Sequence, residues 1–349
     1  MHNFYNSYYL FYLGLTLVVS AMFFWFRDVV AEGTENLSNS LKSGINFTQS
    51  NYRLSTARAI PIEDISKALN TYKANNINKL TTTKNLGYYL AGILEGDGHI
   101  SIPALGITTL NRILNPRIVF TSHVNKLSLY AFIQSELSNV GCFQATGKNA
   151  IRYIIGDKKG ILLFINLVHG KLRTPKNKRF NDLIEFFNTK YSLNIPESLL
   201  DYSNFLGNSW FTGFTEADGH FGIKHVEKES KSHSKRSVSE KVSLRFRLDQ
   251  RLYDKPTSSS MRPFMENLAL FLSCNLKSYT NNTGSEVLSL SVSSIDSVKF
   301  LINYFNSYPL LGDKIKDFKK WELVYNMMIS KEHLTNEGRL KIKSLIGKV

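Results

Sequence analysis

Two segments of this chain are copies of one another, and that duplication restricts the fold more than any other feature of the sequence. The first reads Leu86-Gly-Tyr-Tyr-Leu-Ala-Gly-Ile-Leu-Glu-Gly-Asp-Gly-His-Ile100. The second reads Leu206-Gly-Asn-Ser-Trp-Phe-Thr-Gly-Phe-Thr-Glu-Ala-Asp-Gly-His-Phe221. Aligning Asp97 with Asp218 gives an offset of 218 − 97 = 121 residues. Solenoid repeats are much shorter, whereas this period suits two tandem copies of one small domain.

Each copy continues in the same order. An apolar helix ends at Asp-Gly, with Gly98 or Gly219 as the expected C-terminal stop. Strand-like runs follow at His99–Ile107, Arg117–Ser122 and Ile151–Ile155 in copy one. Copy two offers His220–Val226, Val242–Leu248 and Val287–Val292. Alternation is plain in Ser243-Leu-Arg-Phe-Arg-Leu248, which puts polar and apolar side chains on opposite faces. Helical stretches lie between and after the strands: Lys126–Val140, Gly160–Val168 and Lys178–Asn188, then Pro263–Ser273, Ile295–Tyr304 and Ile315–Met328. This mixed order predicts two α+β domains with antiparallel pairing.

Asp97 and Asp218 each end an apolar helix, where negative dipole and unpaired carbonyls already gather. A carboxylate there needs a compensating cation. Two such ends brought together make an oxygen-lined pocket suited to magnesium. Small residues four apart, Gly92/Gly96 and Gly213/Ala217, let two helices approach along one face. Divalent ions flanking a phosphate activate water and stabilise the leaving oxygen in phosphodiester hydrolysis. A single Glu-Gly-Asp-Gly is more often just a helix end and a turn. Its recurrence in the same context favours chemistry.

Composition agrees. Forty-three Lys and Arg against 28 Asp and Glu leave a formal net charge of +15. That excess points to a polyanion, either nucleic acid or an anionic membrane surface. Cys142 and Cys274 are far apart and outside any metal-binding spacing, which disfavours a disulfide framework or a cysteine zinc site and predicts two reduced, buried thiols.

The N-terminus is foreign to the rest. Residues Tyr8 to Phe26 carry no charge and are just long enough to span a bilayer as an apolar helix. No Lys or Arg precedes them, unlike a secretory signal. The stretch Phe23-Phe-Trp-Phe-Arg-Asp-Val-Val-Ala-Glu-Gly-Thr34 resembles a piece of cytochrome c oxidase subunit III. The resemblance implies an intron reading frame continuous with its upstream exon, and a mitochondrial protein. Residues 1–34 are then exon-derived, either removed or kept as an inner-membrane insertion, and 35–84 read as a polar linker.

Leu90-Ala-Gly-Ile-Leu-Glu-Gly-Asp-Gly98 and Phe211-Thr-Gly-Phe-Thr-Glu-Ala-Asp-Gly219 resemble the motif of the LAGLIDADG homing endonucleases in their single-chain, two-repeat form. Thr212, Thr215 and Phe211 depart from that pattern without threatening a helix. The resemblance covers about residues 85–335 and implies repeats at 85–190 and 205–335, a connector at 191–204 and a tail at 336–349. It also implies an αββαββα-like order, saddle-shaped antiparallel sheets along the major groove of double-stranded DNA, a monomer, and Mg2+ or Mn2+ as cofactor. Metal falls to Asp97 and Asp218, helped by the carbonyls of Gly96 and Ala217. Candidate catalytic groups around them are Lys176, Lys314, Gln250 and His123. Arg117, Arg152, Lys224, Arg245, Arg247 and Lys277 fall in or near expected strands and are candidates for base or phosphate contacts. The tract Lys228–Lys241 reads equally as a hairpin extension on phosphates or as a solvated loop.

The expected target is the intronless allele of the host gene. Two other functions fit parts of the sequence. An RNA maturase on the same scaffold would bind its own intron. A membrane-anchored basic protein would use the charge on an anionic lipid surface, but leaves the duplicated motif without a role.

Overall fold

The computed structural model describes residues 58–75, 83–103, 115–226 and 240–346. The apolar helix expected over residues 8–26 and most of the 228–241 tract lie outside them. Among the described residues, no helix is long and apolar enough to cross a membrane.

The first repeat begins with helix α2 (Thr83–Asp97), which runs straight into β2 (Gly98–Ser101). It continues through β3 (Arg117–His123), α3 (Leu127–Glu136), β4 (Cys142–Thr146), β5 (Ala150–Ile155), α4 (Lys158–Val168) and α5 (Lys176–Tyr191). The second repeats the order: α6 (Trp210–Asp218), β6 (Gly219–Val226), β7 (Lys241–Arg251), α7 (Arg262–Phe271), β8 (Lys277–Thr280), β9 (Glu286–Val292), α8 (Ile295–Ser307) and α9 (Lys314–Ile329). The repeated strands lie in the order β4-β5-β3-β2 in one sheet and β8-β9-β7-β6 in the other, with every pair antiparallel. The duplication in sequence is therefore a duplication in topology.

Local chemistry sets the boundaries. Asp157 caps α4 by accepting from the Gly160 amide at 2.7 Å, and Ser294 caps α8 by accepting from the Ser297 amide at 3.2 Å. Both motif helices stop at Gly98 and Gly219 as expected, and neither glycine is left-handed. The backbone at Gly219 is extended, at φ −72° and ψ 149°. What excludes a side chain is crowding: a Cβ on Gly98 would meet Leu94, and one on Gly219 would meet Thr215. Glycine thus lets each chain turn directly from helix into strand.

One face of each sheet makes the core. In β7, Val242, Leu244, Phe246 and Leu248 are buried, while Lys241 and Arg245 on the alternate positions are exposed. Phe221, Phe246, Phe305, Phe318 and Trp321 pack as one aromatic cluster under the second sheet. Phe120, Tyr130, Tyr153 and Phe164 do the same under the first.

Six expectations are corrected. Residues 35–84 are not all linker: β1 (Arg58–Ala59) pairs with β4, and α1 (Ile62–Asn75) packs on α3, stacking Tyr72 on Phe132 at 4.5 Å. Residues 336–346 are not tail but helix α10 (Asn336–Ile346), whose Arg339 pairs with Glu240 at 2.9 Å. Of the strand expected over His99–Ile107, the described part ends at Ser101 and residues 104–107 lie outside the described residues, and the helix expected over Lys126–Val140 ends at Glu136. Strands β4 and β8 were missed because each is short and half polar. Cys142 is exposed, because it shares the outward face of its sheet with Gln144 and Arg152, and Cys274 is only partly buried.

Candidate active site

Helices α2 and α6 cross in direct contact. The small residues explain how. A Cβ on Gly92 would run into the carbonyl of Trp210, one on Gly213 into the carbonyl of Tyr89, and one on Gly96 into the side chain of Ala217. Backbone lies against backbone, so no side chain larger than hydrogen fits at Gly92 or Gly213 without a shift. That approach puts the two helix ends side by side. The Asp218 carboxylate reaches the Gly96 position, at 2.8 Å from where its Cβ would stand.

Two residues before each acid, in the same last turn, each helix carries a buried glutamate. Glu95 accepts hydrogen bonds from the Arg173 amide (2.9 Å), the Thr174 amide (2.5 Å), the Thr174 hydroxyl (2.6 Å) and the Trp210 indole (2.7 Å). Glu216 accepts from the Gly312 amide at 3.2 Å. Both lie at the same place in the duplicated motif, since 216 − 95 = 121. Each holds the loop just ahead of a lysine-bearing helix. Burial pushes both carboxyls above their ordinary range, against the hydrogen bonds that pull them down.

The lysines arrive where those loops deliver them. Lys176 Nζ donates to the carbonyls of Leu94 (2.8 Å), Glu95 (2.8 Å) and Gly98 (2.7 Å). Lys314 Nζ donates to the carbonyls of Thr215 and Ala217, both at 2.9 Å. Each ammonium therefore sits on the negative end of its own motif helix. Burial pushes both amines below the ordinary lysine value.

The acids have different company. Gln250 Nε2 donates to Asp218 Oδ2 at 2.7 Å. Lys126 Nζ lies 2.8 Å from Asp97 Oδ2 and 3.1 Å from the Glu216 carbonyl oxygen. Burial, and then the charge of Asp97, push the Asp218 carboxyl above its ordinary range. Two like charges brought together at two negative helix ends are what a divalent cation relieves, and the donors are hard oxygens. The residues present therefore fit a divalent ion. Among the described residues no group of three His, Cys, Asp or Glu could ligate one alone. A cleft of about 450 Å³ opens here, lined among others by Gly96, Lys176, Asp218, Gln250 and Asp254.

Of the sequence candidates, Asp97, Asp218, Lys176, Lys314, Gln250, Gly96 and Ala217 come together. His123 does not. It ends β3 on the outward face, exposed, with its Nδ1 accepting from the Asn125 amide at 3.3 Å. The registers give the reason: Gly98 pairs with Phe120 and Gly219 with Leu248, so Ser122, not His123, matches Gln250. Lys126 was missed, and only its place four residues past Ser122 would have pointed to it.

All six basic candidates stand on the outward sheet faces. Arg117 pairs with Ser101 and Arg152 with Thr121, opposite the buried Ile118, Phe120 and Tyr153. Arg245 is cross-strand from Gly222, Lys224 from Ser243 and Lys277 from Ser289. Arg247 is held by Asp249 at 2.9 Å, with its guanidinium 5.6 Å from the Tyr279 ring.

The sequence profile of the LAGLIDADG endonucleases matches residues 90–187 and again 211–325. The chain belongs to the LAGLIDADG endonuclease family. Over 267 residues it is 28% identical to an uncharacterised cox1 intron-2 protein of 37.2 kDa from Schizosaccharomyces pombe, covering 76% of this chain and 73% of that one. It is 28% identical over 302 residues to the intron-encoded DNA endonuclease aI3 of Saccharomyces cerevisiae, covering 77% and 71%. A separate match, 65% identical over 34 residues, is to cytochrome c oxidase subunit 3 of Podospora anserina, covering 10% of this chain and 13% of that one. Among solved structures, the I-SmaMI LAGLIDADG homing endonuclease bound to cleaved DNA superposes with TM-score 0.58 at 20% identity, over 77% of this chain and 97% of that one. I-LtrWI bound to target DNA gives TM-score 0.57 at 18%, over 77% and 98%. At these identities the structures speak to the fold.

Proposed function

We propose that this chain is an intron-encoded homing endonuclease that hydrolyses both strands of a specific double-stranded DNA site with divalent metal. The observation that carries the reading is the meeting of Asp97 and Asp218 at two touching helix ends, each beside a buried lysine. The relative aI3 is named as a DNA endonuclease, and I-SmaMI has been captured on uncleaved DNA with calcium ions.

In this reading Asp97 and Asp218, with the carbonyls of Gly96 and Ala217, hold the metal, for which Mg2+ is the proposed ion. The ion supplies activation of water and relief of charge at the scissile phosphate. Lys176 and Lys314 fix the carbonyls that flank the acids and present positive charge to the phosphate. Gln250 orients Asp218. Arg117, Arg152, Lys224, Arg245, Arg247 and Lys277 make the DNA-facing surface, with phosphate contacts for position and base edges for specificity. The chain acts as a monomer, because both acids lie on one polypeptide.

The subunit 3 match supports a mitochondrial origin in a cox3 intron, and makes the intronless cox3 allele the proposed target. Incubating the full chain and Mg2+ with intronless and intron-containing cox3 DNA tests this directly. Cutting confined to the intronless allele, near the insertion point, is expected. Cutting of neither would shift the reading to a maturase acting on intron RNA.

A further inference from the structure

The two halves of the site differ at one ammonium. Lys126 closes the short turn (Val124–Lys126) ahead of α3, and bridges Asp97 of the first repeat to the Glu216 carbonyl of the second, at 2.8 and 3.1 Å. An acid and a helix-end carbonyl are what a hard cation is offered here, and a positive charge already stands between them. The second repeat has no such group in the matching place. Its residue just ahead of α7, as Lys126 is just ahead of α3, is Met261, apolar and buried. Asp218 instead receives the neutral amide of Gln250 at 2.7 Å.

We propose that Lys126 is a tethered competitor for the divalent cation at Asp97, so that the two carboxylates take up metal unequally, Asp218 before Asp97. A cation approaching Asp97 must displace a charge-assisted contact or sit beside a fixed positive charge. At Asp218 it displaces one hydrogen bond from an uncharged donor. The full positive charge on Lys126 adds an attraction for Asp97, and a repulsion of the ion, that the uncharged Gln250 lacks, corresponding to roughly a tenfold difference in affinity. On the endonuclease reading, on which this consequence rests, limiting metal separates the two strand cuts and nicked DNA accumulates.

Mn2+ alone, titrated into the full-length chain and followed by the magnetic resonance signal of the free ion, tests the inference without DNA. Two binding events are expected, about tenfold apart. Asp218→Asn should remove the tighter and Asp97→Asn the weaker. Lys126→Met should tighten the weaker event by about tenfold. Lys126→Gln should do the same, guarding against a folding defect in the methionine variant, and thermal melts report whether each variant is folded. Lys126→Arg, which keeps the charge, should leave the weaker event weak. The inference is overturned by a weaker site that neither neutral variant moves, by a tighter site that maps to Asp97, or by one class of site in the wild type. Failure of the endonuclease reading shows elsewhere, as no cutting of cox3 DNA at saturating Mg2+.

Discussion

Asp97 and Asp218 are each irreplaceable on the proposed mechanism, but for metal rather than for folding. Asp97→Asn or Asp218→Asn should lower cleavage by on the order of 10²–10³-fold or more while leaving the thermal midpoint nearly unchanged, since a lost site for developing charge costs about that much. Glu95 is the reverse case. Glu95→Ala leaves the Arg173 and Thr174 amides and the Trp210 indole buried without their acceptor. It should cost about 3–5 kcal/mol in a urea titration, and activity falls with it because Lys176 loses its anchor. The lysines set a pH limit. Burial holds the Lys176 amine below the ordinary value, so the alkaline limb of the cleavage profile should come earlier than an exposed lysine would give. Folding has the opposite sign. The fold favours the neutral amine, so this group's contribution to stability rises with pH between its lowered value and the ordinary value near ~10.4. At this scale the repeated motif made both acids legible, and their family made the lysines and Gln250 legible. His123 was misread by one residue, because sheet register is not written in a single strand. Lys126 was invisible because nothing in its neighbourhood distinguishes it from a surface lysine.

The crossing of α2 and α6 stands or falls with two glycines. Gly213→Ala puts a methyl into the Tyr89 carbonyl, a backbone atom that cannot swing aside. Overpacking of this kind costs about 1–3 kcal/mol, and a shifted crossing should also lower cleavage more than that loss of stability explains. Comparing activity with melting temperature separates the two effects. The N-terminal arm makes a second prediction. Deleting residues 1–55 keeps β1 and α1, whereas deleting 1–82 uncovers the edge of β4 and the face of Phe132. The longer deletion should cost about 2–4 kcal/mol from lost burial of Tyr72 and its neighbours, measurable as a lower urea midpoint. Helices and strands with strong periodicity were legible in the sequence. A strand of two residues and a helix after an Asn- and Ser-rich stretch were not, because their stability comes from docking on the first repeat.

For the whole molecule, the duplication shows that one order of elements is laid down twice, although β4 and β8 are not legible in either copy. It could not tell which edges would differ: β4 is covered by β1, while its counterpart β8 ends the second sheet. Charge was legible as a sum, and the fold distributes it, with six basic side chains on the two outward faces. If they meet phosphates, each replacement by Gln should weaken binding to any DNA and flatten the dependence of log affinity on log salt by about 0.9. A filter-binding series across salt concentrations checks this, and a residue that reads bases instead should change sequence preference with little change of slope. Finally, joining two copies in one polypeptide has a consequence for what can be recognised. Two identical subunits about a two-fold axis would be tied to a palindrome. Here Arg117 and Arg152 on one sheet need not agree with Arg245 and Lys277 on the other, so each half-site can drift in sequence while the shared centre is kept.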